Sequence, residues 1–158
     1  PPRPSMVLPP SKRRFSQAKG LIRPPATGEI VQTFGSRIPG GGVSKGIRVA
    51  ARPNAQLIAP FDGRIVYAGP FRRYGQLLIL SVGEGYHVLL AGMKRIDGKV
   101  GQDILAGEPI GMMGPSPDET GRETATGARP TLYIEFRKDG DPIDPRPWLL
   151  MSDKKARG

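Results

Sequence analysis

The chain has 158 residues, with 24 Lys and Arg against 14 Asp and Glu, a single His (His87), no Cys, 22 Gly and 18 Pro. Without Cys there is no disulfide framework, zinc ribbon, iron–sulfur cluster or thiol nucleophile, and one His cannot build a multi-histidine zinc site. The length suits one domain with a real core, and no run of about 18 apolar residues is present to span a bilayer.

Residues 1–23 hold Arg3, Lys12, Arg13, Arg14, Lys19 and Arg23 without an acid, and five prolines precede Ser11. They read as a basic, Pro-rich linker or tail. A first residue of Pro and no apolar leader read as a piece of a longer protein, so no targeting address is legible. The lack of Cys fits a reducing compartment and a periplasm equally. Residues 151–158 form a second basic tail, with Lys154, Lys155 and Arg157 against Asp153. Residues 24–150 carry 15 bases and 13 acids, so the net charge of +10 lies mostly at the ends. Nucleic-acid binding therefore rests on charge alone.

From Gly28 onward, short apolar or alternating runs are separated by Gly, Pro and Asp. Strands are expected at 29–34, 46–50, 56–58, 63–68, 77–82, 86–93, 109–113 and 131–137. Turns are signalled at Pro39-Gly40-Gly41-Gly42, Phe61-Asp62-Gly63, Gly83-Glu84-Gly85, Asp97-Gly98 and Asp139-Gly140. No sustained helical period is present, so an all-β sandwich or barrel with short strands and long loops is expected. One irregular stretch, residues 114–130, reads as a surface insertion or a functional loop. There is no Gly-x-Ser-x-Gly elbow and no phosphate-cradling loop.

Several segments occur in an informative order. They are Gly28-Glu29-Ile30-Val31-Gln32-Thr33-Phe34-Gly35, Ser44-Lys45-Gly46-Ile47-Arg48-Val49, Ala59-Pro60-Phe61-Asp62-Gly63-Arg64, Val100-Gly101-Gln102-Asp103-Ile104-Leu105-Ala106-Gly107 and Leu132-Tyr133-Ile134-Glu135-Phe136-Arg137. In that order they resemble the LytM, or lysostaphin-type, peptidoglycan endopeptidase domain over residues 24–150. The resemblance implies a β-sandwich of the barrel-sandwich hybrid kind. Active members carry zinc ligands where this chain has Ser44, Arg48, Thr131 and Tyr133, and a catalytic His where it has Gly92. Zinc hydrolysis needs about three ligands, an open position for water and a nearby base. Hydroxyls and a permanent cation do not supply these, so neither metal, cofactor nor catalysis is expected. His87 stands at a position the family does not use and reads as a structural residue. Glu135 beside Arg137 reads as a structural charge pair or part of a solvated face.

Within the family, Lys45-Gly46-Ile47-Arg48, Arg73-Tyr74-Gly75, the strand 132–137 and Pro145-Arg146-Pro147-Trp148-Leu149 resemble EnvC-type murein hydrolase activators. That subgroup usually has Gly at the place of Arg73. The resemblance implies a periplasmic, non-catalytic domain. Its vacated groove would bind the regulatory helix of a zinc-dependent N-acetylmuramoyl-L-alanine amidase, licensing septal peptidoglycan cleavage in cell division. An upstream coiled coil, not among these residues, would connect it to the division machinery. The positions implied for contact are Lys45, Tyr74, Leu77, Tyr133 and Arg137, with Arg48 as a further cation. Tyr74 and Tyr133 would be aromatic anchors and Leu77 an apolar wall, a composition suited to a helix-in-groove hot spot. Core packing is the competing reading for Leu77 and Tyr133. The main rival function is a non-catalytic peptidoglycan-binding module. A biotinyl or lipoyl carrier, suggested by Met93-Lys94, fails because Lys94 precedes the segment 100–107 and the chain is longer than a carrier needs.

Overall fold

The computed structural model describes residues 13–116 and 128–150; the Arg73 side chain is outside that description. Residues 1–12 and 151–158 of the two expected tails, and 117–127 of the long loop, also lie outside it. The strands are β1 (Glu29–Gln32), β2 (Ile47–Ala50), β3 (Gln56–Ile58), β4 (Gly63–Phe71), β5 (Gly75–Ser81), β6 (Tyr86–Met93), β7 (Arg95–Ile96), β8 (Asp103–Ile104), β9 (Pro109–Met112), β10 (Thr131–Lys138) and β11 (Asp141–Ile143). All eight expected strands are among them. Strands β7, β8 and β11 have two or three residues each, too few to display a period, and form because β9, β4 and β10 offer them partners. The β4–β5 hairpin is longer than expected, with a single 3-10 turn at Arg72–Tyr74.

All pairings are antiparallel, in a large sheet ordered β1-β2-β10-β6-β5-β4-β8 with β11 on β10, and a small sheet ordered β3-β9-β7. Alternation divides the large sheet into two faces. One carries Ile47, Val49, Leu78, Leu80, Val88, Leu90, Leu132, Ile134 and Phe136, which pack with Leu57 and Ile110 of the small sheet into the main core. On the other, Leu77, Leu89, Ala91 and Tyr133 form a second, separate apolar cluster.

The linker reading of residues 13–23 needs correction. Phe15 is completely buried and stacks on Trp148, with ring centroids 4.8 Å apart, inside a socket completed by Phe61, Tyr86 and Phe136. The backbone N–H groups of Gly20 and Ile22 both donate to Trp148 O at 3.0 Å, and Leu150 N–H donates to Ile22 O at 2.7 Å. Three of the supposed tail cations are used locally. Arg13 pairs with the largely buried Asp62 at 2.6 Å, Arg14 pairs with Glu84 at 3.1 Å, and Lys19 lies over the Trp148 ring. A lone aromatic among Lys, Arg and Pro has no periodicity, so its burial was invisible until the socket was assembled.

Replacing Phe15 with Ala should lower unfolding free energy by about 3–5 kcal/mol in denaturant titration, as for other buried large aromatics; a change of a few tenths would return this segment to the status of a tail. Glu84 accepts from Ser16 N–H, Ser16 O–H and Arg14, and these contacts, the backbone bond foremost, hold its carboxyl below the ordinary glutamate range. A depressed folded-state value gives stabilisation that is complete above the unfolded value and lost as pH falls through the folded one. Melting temperatures followed from about pH 6 to about pH 3 should therefore fall less steeply for Glu84→Gln than for the parent chain.

Candidate functional site

The positions expected for metal and catalysis converge where β2, β10 and β6 run side by side, since Arg48 and Ala91 flank Tyr133 in register and Thr131 faces Ala50. The side chains of Ser44, Arg48 and Tyr133 are already engaged. Ser44 is buried, its hydroxyl donates to Gly46 O at 2.7 Å, and Gly46 N–H donates back to Ser44 Oγ at 3.3 Å. Gly46 is required here because a Cβ would meet Ile134 O at 2.2 Å. The Arg48 guanidinium lies over the Tyr133 ring, 5.0 Å from its centroid, a cation–π geometry. Tyr133 O–H donates to Glu135 Oε1 at 2.6 Å.

Gly92, the position that the sequence resemblance equates with a catalytic His, has φ +104 and sits at an irregularity in the β5–β6 pairing. A Cβ there would lie 2.6 Å from Thr131 O, so the backbone itself refuses a histidine in this conformation. The donor set does not fit zinc. Arg48 would repel a cation, and the Ser44 hydroxyl is turned to a carbonyl. Burial first, and the Glu135 bond second, push the Tyr133 phenol well above the ordinary tyrosine value, so no phenolate is offered. Among the described residues no cluster of three or more His, Cys, Asp or Glu exists that could hold a metal.

What the same face does present is a line of rings. Tyr67 and Phe71 on β4, Tyr74 in the turn and Tyr133 on β10 follow one another with centroid spacings of 5.7, 5.9 and 5.9 Å, and Arg48 closes the line. Phe71 is exposed and Tyr67 and Tyr74 are half-buried. Leu77, expected as a wall, is instead part of the floor, 2% exposed and packed with Leu89, Ala91 and Tyr133. At the far end of β10, Arg137 reaches back to ion-pair with Glu135 and donates to Gly140 O at 3.3 Å. Glu135 is completely buried, which decides between its two readings in favour of the structural charge pair. Lys45 is exposed beside Ser44, and no described contact ties it to the floor. His87 is half-buried in register between Ser81 and Arg137.

Tyr67 and Phe71 escaped the sequence reading because Phe71 lies beyond the point where strand alternation was legible. Their four-residue spacing, which places both on one face of a strand, was the available signal.

The model of Peptidase family M23 matches residues 42–145. The chain belongs to this family. Among M23-related proteins, murein hydrolase activator EnvC of Escherichia coli is 29% identical over 144 residues, covering 87% of this chain and 32% of EnvC. Murein hydrolase activator NlpD of the same species is 33% identical over 127 residues, covering 79% of this chain and 30% of NlpD. The chain thus spans about a third of the length of these curated relatives. Its fold is that of the catalytic domain of lysostaphin from Staphylococcus simulans, with TM-score 0.62 and 23% identity over 76% of this chain and 90% of that one. This M23 domain therefore keeps the lysostaphin-type framework and lacks the ligand chemistry at its centre.

Added zinc should leave the melting temperature of the domain unchanged, and so should a chelator, because a ligand bound only to the native state would raise it. A zinc-dependent rise that EDTA reverses would overturn the assignment of these positions.

Proposed function

We propose that this domain is a non-catalytic activator of peptidoglycan hydrolases, and specifically of zinc-dependent N-acetylmuramoyl-L-alanine amidases. The observation that carries this reading is the refilling of the ligand positions. Arg48, Tyr133, Glu135 and Arg137 build a hydrogen-bonded and cation–π network over an apolar floor, with a line of aromatic rings beside it. Such a surface recognises a protein segment better than it cleaves one, because large rings and guanidinium groups combine buried area with polar tips. The names of EnvC and NlpD as murein hydrolase activators support the same direction.

In this reading the former active-site groove takes the regulatory helix of the amidase in a helix-in-groove mode. Tyr74, Tyr133 and Leu77 meet its apolar stripe, while Lys45, Arg48 and Arg137 meet its acids and exposed carbonyls. Activation is a population shift: a domain that binds only the open amidase favours it by the difference in affinity for the two states. The setting is the periplasm, at septal peptidoglycan during daughter-cell separation, with an upstream region of the longer protein linking the domain to the division machinery.

Incubation with dye-labelled peptidoglycan tests this directly. The domain alone should release no dye, and with a zinc-dependent amidase of the same organism it should raise release several-fold. Zinc-dependent release by the domain alone would refute the reading. Sedimentation with sacculi when no amidase is present, together with unchanged amidase activity, would favour the peptidoglycan-binding module instead.

A further inference from the structure

Glu135 has no part in the contacts just assigned, yet it has the most unusual environment on this face. It is a carboxylate with no exposed surface in a central strand. One oxygen, Oε1, accepts from Tyr133 O–H at 2.6 Å and the other, Oε2, accepts from Arg137 Nε. Residues 133, 135 and 137 are alternate positions of β10, so all three side chains lie on one face, with Leu89 of β6 opposite Glu135. Burying a carboxylate is unfavourable by several kcal/mol unless well-placed partners compensate it. Here the compensation comes from the two residues that the groove would present to a partner.

We propose that Glu135 is the positioning residue of this groove, holding the Tyr133 ring and the Arg137 guanidinium in the arrangement that the bound helix meets. The inference rests on the reading of the groove as a protein-binding surface. Its physical basis is preorganisation: side chains already fixed lose less rotamer freedom on association. Arg137 spends its Nε–H on Glu135 and one terminal N–H on Gly140 O, which fixes the guanidinium and leaves its other N–H groups for a partner. Tyr133, with its hydroxyl held by Glu135, offers its ring to Tyr74 on one side and to Arg48 on the other. Sequence distance conceals this role, since an i, i+2 Glu–Arg pair also describes an ordinary solvated strand.

The test is Glu135→Gln in the whole 158-residue chain, with binding to a zinc-dependent amidase of the same organism and the NMR resonances of the Tyr133 ring as readouts. Glutamine removes the buried charge and leaves a guanidinium that is one-third exposed and can be hydrated, so cooperative unfolding should persist. Amidase affinity should fall by about tenfold or more, in the range for truncating one partner of a hydrogen-bonded charge pair. The Tyr133 ring resonances, assigned with Tyr133→Phe, should shift once the ring is no longer held by Glu135 against Tyr74 and Arg48. Unchanged affinity in folded Glu135→Gln, where the parent chain binds, would overturn the inference. Should Glu135→Gln fail to fold, Tyr133→Phe and Arg137→Gln replace it. Coupling between those two beyond additivity supports the shared carboxylate, and additive effects overturn it. If the parent chain does not bind an amidase, the proposed function fails, while unmoved Tyr133 ring resonances in Glu135→Gln separately refute the positioning role.

Discussion

Strand β10 carries a constraint on which the rest of the domain depends. It is paired along both edges, with β2 and then β11 on one side and β6 on the other, so all of its backbone is committed to one register. Leu132, Ile134 and Phe136 face the main core, and Tyr133, Glu135 and Arg137 face the opposite side. A slip by one residue would put a carboxylate and a guanidinium into the core and three large apolar side chains on the outer face. The core thereby fixes the groove. The cluster of Leu77, Leu89, Ala91 and Tyr133 forms because three strands of defined register, β5, β6 and β10, deliver one residue or two each to the same place.

The same strand links the groove to the entry of the chain. Phe136 is a wall of the socket that holds Phe15, with ring centroids 5.6 Å apart, while its neighbours Glu135 and Arg137 lie on the other face. Trp148 stacks on Phe15 and accepts the backbone of Gly20 and Ile22, so the beginning and end of the described chain close over one aromatic cluster. The cations of residues 13–19 therefore act first as local clamps, through Asp62, Glu84 and the Trp148 ring, each a modest contribution at partly exposed sites. Part of the basic excess that suggests a polyanion partner is thus committed to holding the N-terminal segment on the domain.

At the positions expected for metal ligands and catalysis, backbone as well as side chains disfavour a metal centre. At Gly92 the left-handed conformation and the nearby Thr131 carbonyl leave no room for a histidine, and at Gly46 the approach of Ile134 O presses β2 against β10. Arg48 and Tyr133 then occupy the volume between as a stacked pair, and Glu135 satisfies the phenol from below. Substituting a single ligand back into such a centre would meet an occupied and positively charged space. In place of metal ligands this face presents aromatic rings and a guanidinium group.

Some of this was legible in the residues alone. Apolar or alternating runs located seven strands of four residues or more, because a half-buried sheet imposes a period of two on its sequence, and flanking turn signals marked the three-residue β3. The order of segments pointed to Ser44, Arg48, Gly92, Thr131 and Tyr133 as one site, and their chemistry gave no reason to expect a zinc centre there. The rest depended on contacts between residues far apart in sequence. Phe15 is hidden among charges, β7, β8 and β11 are too short to show a period, and Leu77 reads equally as floor or wall. Tyr67 and Phe71 join Tyr74 and Tyr133 only when β4 reaches Phe71 and the turn folds back. Glu135 and Arg137 form a neighbouring pair in any strand; the packing around them alone makes one a buried carboxylate and the other its partly exposed partner. Local pattern determined where the eight expected strands lie and which residues stand at the positions expected for metal ligands. Tertiary structure decided what each face buries, because burial is set by neighbours that the local sequence does not contain.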